Sequence, residues 1–316
     1  MQNVIIVGAG PAGIACAVQL KRFGVECTVF EKNEIGGLVK NANLIENYLG
    51  FPFGISGIEY VELIEKQFKR HKINLVNDEI LEVKFDKDVF KVISSKSGAY
   101  KAEYLVIATG TIPKKFRHAE FISASHNHGI LNAVDGTLPC NSRFARKQEE
   151  LQVQDDVKQY MSKKIFYEIT DILEIENKII AIVGAGDAAF DYALNLSKLN
   201  KIKIFNRSSK IKALPLLVNR VNQNKNIEYY ENTTIKEINL DGGKLKINNN
   251  TLADYLVVAI GRMQNDRLLT EELKENPNLC MIGDVKNGLL RQTSIASADG
   301  LKAAMDIYER INKNRT

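Results

Sequence analysis

The stretch that decides the fold reads Val4-Ile5-Ile6-Val7-Gly8-Ala9-Gly10-Pro11-Ala12-Gly13-Ile14-Ala15-Cys16-Ala17-Val18-Gln19-Leu20. Its first four residues are apolar and β-branched, the pattern of a buried parallel strand. Glycines follow without a spacer, and apolar residues then return in a helix-like run. A second apolar run, Cys27-Thr28-Val29-Phe30, ends in Glu31. Strand, glycine loop, helix, strand and acid thus stand in the order of a dinucleotide-binding βαβ unit. Gly8 suits the tight turn. Gly10 lets the backbone approach a pyrophosphate, and Gly13 lets helix and strand pack closely. The helix start offers free N–H groups and a partial positive charge to phosphates. Glu31 can accept hydrogen bonds from a ribose.

The same order recurs mid-chain. The run Ile179-Ile180-Ala181-Ile182-Val183 leads into Gly184-Ala185-Gly186-Asp187-Ala188-Ala189, with Ala189 in the place of the third glycine. A helix is expected over 190–199 and a strand over 202–205. Gly184, Gly186 and the helix start at Asp187 and Ala188 are the candidate contacts for a second nucleotide. An NAD site favours an acid at the end of the second strand, whereas this chain has Asn206, then Arg207, with Lys210 nearby. An acid repels a 2′-phosphate and Arg207 can bind one, so NADPH is expected, with NADH possible. Two further runs match each other: Tyr104-Leu105-Val106-Ile107-Ala108-Thr109-Gly110 and Tyr255-Leu256-Val257-Val258-Ala259-Ile260-Gly261-Arg262. Each is an apolar strand stopped by a glycine, downstream of a glycine loop.

Gly36-Gly37-Leu38 and Glu46-Asn47-Tyr48-Leu49-Gly50-Phe51-Pro52 carry a resemblance to a known family. With the two loops, they make the chain similar to the thioredoxin reductase-like FAD and NAD(P) enzymes. Leu38 departs from that family's usual glutamine. The resemblance assigns the first loop to FAD, with Gly37, Asn47, Thr109 and Gly110 against it. It makes Asp284 of Gly283-Asp284 the partner of the ribityl chain. It also puts Arg291-Gln292-Thr293, at the start of a last helix over 295–312, beside the isoalloxazine ring. The fold it implies is α/β, with two Rossmann-like dinucleotide-binding domains, the NAD(P) domain inserted into a split FAD domain. The expected boundaries are 1–113 and 250–316 for the FAD domain and 158–249 for the NAD(P) domain. A homodimer is implied by the resemblance alone.

Thioredoxin reductases carry a C-x-x-C pair in the NADPH domain, where one thiolate attacks disulfides. The four cysteines here, Cys16, Cys27, Cys140 and Cys280, form no such pair. Cys16, Cys27 and Cys280 read as core residues and Cys140 as exposed. Residues 114–157 read as an atypical insertion: from Phe116 to Asp156 the only lysine is Lys147, and His118, His126 and His128 lie there with Cys140. Their spacing matches no standard zinc finger, and no metal is expected.

A net charge of +5 on 316 residues, without a basic run interleaved with aromatics, argues against nucleic acid. No apolar stretch approaches the ~20 residues of a membrane span. The start lacks a basic leader, and scattered thiols suit a reducing compartment, so a cytoplasmic protein is expected. The expected activity is an FAD-dependent NAD(P)H oxidoreductase. NADPH would deliver hydride to flavin N5, and electrons would pass to an unidentified acceptor, a small molecule or small redox protein. No side chain stands out as a catalytic acid, base or nucleophile. Three alternatives remain at this point: a ferredoxin or flavodoxin NADP reductase-like enzyme, a disulfide reductase using other thiols, and a non-catalytic flavin-binding protein.

Overall fold

The computed structural model describes residues 2–116, 159–248 and 250–313. Cys140, His118, His126, His128 and nearly all of the expected insertion lie outside them. The chain divides into two compact units: Met1–Pro113 with Arg262–Thr316, and Lys114–Gly261.

The first unit begins as the glycine loop predicts. Strand β1 (Gln2–Val7) leads into helix α1 (Pro11–Arg22) and then strand β2 (Cys27–Glu31). Pro11 opens α1, where its fixed φ is preformed for a helix and its missing N–H is not needed. Helix α2 (Gly57–Arg70) starts at a capping box: Ser56 Oγ accepts from Glu59 N at 3.2 Å, and Glu59 Oε2 accepts from Ser56 N at 3.1 Å. Strands β3 (Asn74–Asn77), β4 (Ile80–Asp86), β5 (Val89–Ser94), β6 (Ala99–Ile107) and β7 (Thr111–Pro113) follow.

The second unit repeats the plan. Strand β8 (Ile165–Phe166) precedes β9 (Ile179–Val183), α3 (Asp187–Leu196), β10 (Lys201–Phe205), α4 (Pro215–Gln223) and β11 (Ile227–Tyr230). A hairpin-like sheet of β12 (Ile238–Asp241), β13 (Lys244–Ile247) and β14 (Thr251–Ala253) comes next, then β15 (Tyr255–Val258). Helix α3 starts at Asp187, directly after Gly186, ahead of the run expected over 190–199. It stops at Leu196, where Asn200 Nδ2 bonds the Leu196 carbonyl at 3.1 Å. The unit also runs on to Gly261, past the boundary expected at 250. The reason is register: β15 pairs in parallel with β9, Val257 opposite Ile182, and completes that sheet.

The chain then returns to the first unit through β16 (Arg262–Gln264), a short helix α5 (Glu271–Lys274), β17 (Leu279–Met281) and the long helix α6 (Thr293–Lys313). Sheet order in this unit is β3-β2-β1-β6-β5-β4, with β17 also on β6. Strand β6 uses one edge twice: Ala99–Ala102 pairs antiparallel with β5, and Leu105–Ile107 pairs parallel with β17. In the second unit the order is β11-β10-β9-β15-β8, parallel throughout. Both sheets bury their central strands on both faces, which is why those strands read as unbroken Ile/Val runs. Each fully buried side chain of this size contributes about 1.5–3 kcal/mol.

Helix α6 lies on α1 without room for a side chain between them. A β-carbon on Gly300 would stand 2.8 Å from Cys16 N and closer still to the Ala12 carbonyl oxygen. Gly300→Ala is therefore expected to destabilise the protein by about 1–3 kcal/mol, although alanine is the better helix former. Chemical denaturation reads this as a lower midpoint at constant slope; an unchanged midpoint would show that the helices part freely.

Candidate nucleotide sites

In the first unit, Gly8, Glu31, Thr109 and Gly283 stand at or just past the ends of the parallel strands β1, β2, β6 and β17, the usual ligand edge of such sheets. Gly8 adopts a left-handed φ of 110°, and a β-carbon there would collide with the Ala108 carbonyl. Gly13 packs its α-carbon onto the Gly8 carbonyl in the same way. Gly10 differs: nothing lies within 4 Å of where its β-carbon would be. So Gly8 and Gly13 are glycines because protein fills the space, and Gly10 borders open space. Glu31 closes the loop from β2. Its Oε2 accepts from Ala9 N at 2.8 Å and its Oε1 from Asn33 N at 3.0 Å, which leaves acceptor capacity on both oxygens. Gly36 N donates to Ala9 O at 2.9 Å, and the next residue, Gly37, sits against Gly10. The double-glycine turn and the first loop are therefore neighbours.

Three other predicted groups gather at this edge. Thr109 Oγ1 donates to the Asn265 carbonyl at 2.6 Å, and Asn265 N donates to the Gly110 carbonyl at 3.0 Å. Ile282 N donates to Ile107 O at 3.0 Å, which sets Gly283 and Asp284 beside the end of β6. A β-carbon on Gly283 would stand 2.8 Å from that of Ala12, so this turn presses on α1. Asp284 is half-buried, and no donor among the described residues bonds its carboxylate. Burial pushes its acidity to a higher pKa, while Arg291 and Arg262 pull it back. Finally, Asn47 Nδ2 donates to Gln292 Oε1 at 2.7 Å, joining two predicted contacts far apart in sequence. Arg291 reaches the Arg262 carbonyl only at 3.5 Å, and its buried Nε has no hydrogen-bond partner among the described residues. Thr293 is the first residue of α6.

Sequence reasoning missed Asn265 and Asp299. Asn265 is buried and braces Thr109-Gly110; its own Oδ1 is unbonded. Asp299 accepts from Gly283 N at 3.0 Å and from Asn287 Nδ2 at 2.5 Å. Neither carried a local signal, since each acts on residues well beyond the reach of a local motif.

The second unit repeats the loop geometry. Gly184, at φ 137°, abuts the Ala259 carbonyl, and Gly186 faces open space. The helix start expected at Asp187 and Ala188 is present, but Asp187 is occupied: its Oδ1 accepts from Leu214 N at 2.8 Å. Lys212 N donates to Ala185 O at 2.8 Å, so residues 212–214 are strapped to the glycine loop. Asn206 is buried. It donates to Tyr229 Oη at 2.8 Å and to Lys210 O at 3.1 Å, shaping the turn that carries Arg207. Arg207 itself is exposed.

The described cysteines are free. Burial pushes the Cys16 thiol well up, the Cys27 thiol up to about 12, and the half-buried Cys280 thiol up as well. Cys280 is thus less covered than its strand pattern suggested. Among the described residues no cluster of ligands suits a metal, and no helix is long and apolar enough to cross a membrane.

These two glycine-loop units define an oxidoreductase of the two-dinucleotide kind. The chain belongs to the pyridine nucleotide-disulphide oxidoreductase family, whose sequence model matches residues 2–300. Thioredoxin reductases within it use FAD and NADPH. The Bacillus subtilis thioredoxin reductase is 25% identical over 98% of this chain and 95% of its own length. The chain spans 61% of the Mycobacterium leprae bifunctional thioredoxin reductase/thioredoxin, at 24% identity. Among solved structures, the T. acidophilum thioredoxin reductase superposes with a TM-score of 0.75 at 24% identity, covering 98% of each chain. The Staphylococcus aureus bacillithiol disulfide reductase superposes at 0.66 with 16% identity, covering 100% of each.

Gly10→Ala should leave the fold intact, because its β-carbon meets no protein atom and its φ of −74° suits alanine. It should abolish flavin retention, read as loss of the visible absorbance of the purified protein; full flavin content would refute the cradle. Cys16, Cys27 and Cys280 should resist a neutral alkylating reagent at pH 8 in the native state and react on unfolding. Peptide mass spectrometry checks this, and rapid native labelling of any of them would contradict the burial argument.

Proposed function

We propose that this chain is an FAD-dependent NADPH oxidoreductase whose electrons leave from the flavin directly, without a protein dithiol. The observation that carries the reading is the pair of glycine cradles: Gly10 and Gly186 each front open space at a helix start, within units otherwise close-packed at the same loops. The first cradle is the FAD site and the second the NADPH site. FAD, when bound, supplies the two-electron chemistry that takes hydride from NADPH and passes electrons on.

The chain's own residues then have definite tasks. Gly10 and the start of α1 hold the pyrophosphate by backbone N–H groups, Gly8 and Gly13 let the loop close against strand and helix, and Glu31 takes the ribose hydroxyls with its remaining lone pairs. Asp284 has an unbonded, half-buried carboxylate, which suits hydroxyl donors of a ribityl chain and relieves its burial cost. Gly37, Asn47, Thr109, Gly110, Gly283, Arg291, Gln292 and Thr293 line the same site. The start of α6 at Thr293 carries the partial positive charge of a helix N-terminus, which would favour negative charge on a flavin ring held beside it. In the second unit Gly184, Gly186, Asp187 and Ala188 form the NADPH cradle, with Asp187 bracing the loop rather than touching phosphate. Arg207, exposed on the Asn206 turn, reads the 2′-phosphate.

No described thiol can relay electrons, because each is pushed toward its neutral form by burial. A disulfide acceptor remains a second reading, favoured only by the names of the relatives. Homodimerisation and a cytoplasmic location are consistent with the family.

The decisive test is anaerobic mixing of the purified protein with NADPH or NADH, followed by acceptors of each class: quinones, oxygen, ferredoxin-type carriers, thioredoxin and low-molecular-weight disulfides. Rapid bleaching by NADPH with turnover of a non-disulfide acceptor is expected; a protein that NADPH fails to bleach sinks the proposal. Arg207→Ala should weaken NADPH use by about ten- to hundredfold, the worth of a charge-assisted hydrogen bond, with little change for NADH. Equal effects on both nucleotides would overturn the role of Arg207.

A further inference from the structure

Glu31 and Asn206 occupy matching places. Each follows the residue whose carbonyl accepts from the first glycine of a loop: Phe30 O from Gly8 N at 2.8 Å, and Phe205 O from Gly184 N at 3.0 Å. In the first unit Glu31 reaches back and accepts from the loop at Ala9 N. In the second unit the side chain of Asn206 is spent elsewhere.

Asn206 is buried at 5% exposure, and both of its amide protons are used. One bonds Tyr229 Oη at 2.8 Å and the other the Lys210 carbonyl at 3.1 Å. Its Oδ1 accepts from Ser208 N at 3.3 Å. The backbone is held as well: Asn206 N donates to Tyr230 O at 2.9 Å, and Thr233 N donates to Asn206 O at 2.8 Å. The side chain thus closes the turn 206–210 from inside, while Arg207, Ser208, Ser209 and Lys210 are exposed.

The bonds to Ser208 and Lys210 lie within the turn and move with it. Among the described residues, Tyr229 is the one partner of this side chain outside the turn. Tyr229 belongs to β11, and its ring stands 5.9 Å, centroid to centroid, from that of Phe190 in the first turn of α3. Phenylalanine would serve that ring contact equally well. The hydroxyl is what fixes Asn206.

We propose that Tyr229 is a positioning residue for coenzyme choice: its hydroxyl fixes Asn206 and so holds the turn bearing Arg207 in the shape that takes a 2′-phosphate. The proposal rests on the NADPH reading of the second cradle. Charge-assisted hydrogen bonds to a phosphate depend on direction, so a turn that loses its anchor loses part of their strength. The cradle at Gly184 and Gly186 is set by a different contact, the close approach of Gly184 to the Ala259 carbonyl. Binding of the 2′-phosphate and of the rest of the nucleotide is therefore separable.

The test uses the full chain as wild type, Tyr229→Phe, Arg207→Ala and the double variant. Each is titrated calorimetrically with 2′,5′-ADP and with 5′-AMP, which differ only in the 2′-phosphate. The wild type should bind 2′,5′-ADP the more tightly. Tyr229→Phe should weaken that binding by about fivefold, the net worth of one neutral hydrogen bond, and leave 5′-AMP unchanged. On the Arg207→Ala background the same change should cost less than about twofold, because the turn then lacks its main phosphate contact. Amide hydrogen exchange of the nucleotide-free chain gives a second readout. Tyr229→Phe should speed exchange at Ser208 and Thr233, whose N–H groups Asn206 holds, and leave β9 protected. Equal weakening of both nucleotides, unchanged binding of 2′,5′-ADP, a full effect without Arg207, or unchanged exchange at Ser208 and Thr233 would each overturn the role of Tyr229. A wild type that binds both nucleotides equally defeats the NADPH reading, and the role in coenzyme choice falls with it.

Discussion

A glycine α-carbon pressed against an alanine carbonyl organises each unit. In the first, Gly8 meets Ala108; in the second, Gly184 meets Ala259. The surrounding hydrogen bonds repeat as well. Gly8 N donates to Phe30 O at 2.8 Å and Ala108 N to Val7 O at 2.8 Å; Gly184 N donates to Phe205 O at 3.0 Å and Ala259 N to Val183 O at 2.9 Å. Three neighbouring parallel strands are thereby tied at their ends, and the loop leaves them turned toward the helix. A methyl group at either glycine would part the strand ends. The helix N–H groups would then no longer face the space in front of Gly10 or Gly186. Binding capacity in both units follows from that one close approach.

Around this frame the two units are specialised by their second turns. In the first unit an acid at the end of β2 reaches back to the loop and leaves lone pairs for a ribose. At the matching place in the second unit, Asn206 turns inward to Tyr229 and the Lys210 carbonyl, and the charge facing solvent is Arg207. An amide at that place imposes no repulsion on a phosphate. The described thiols are absorbed into cores, where burial disfavours the thiolate. The family's frame is thus kept, and no described residue supplies its disulfide chemistry.

The glycine loops, their strands and the paired Ala-x-Gly endings were legible because each is a local pattern with one cheap geometric solution. The ends of elements were less so. Helix α3 begins at Asp187 because the chain leaves Gly186 extended and turns directly into the helix, a fact its apolar spacing does not show. The second unit extends to Gly261 because β15 pairs with β9, and strand partners are not written in either strand. Asn47 and Gln292 were each singled out by motif, yet nothing in the motifs says that they bond one another. Asn265 and Asp299 left no trace at all, since their tasks concern segments brought near only by folding.

By itself, the sequence determined that two dinucleotide-type βαβ units exist, which residues line each loop, and that no C-x-x-C pair is present. Local backbone geometry demands glycine at fixed spacing, and that demand is visible in one dimension. Tertiary structure alone decided which glycines are filled by protein and which front open space. It decided that Asp187 braces a loop, that no described side chain bonds the Asp284 carboxylate, and that Asn47 meets Gln292. These depend on side chains distant along the chain meeting at contact distance, and hydrogen bonding and exclusion act only at that range.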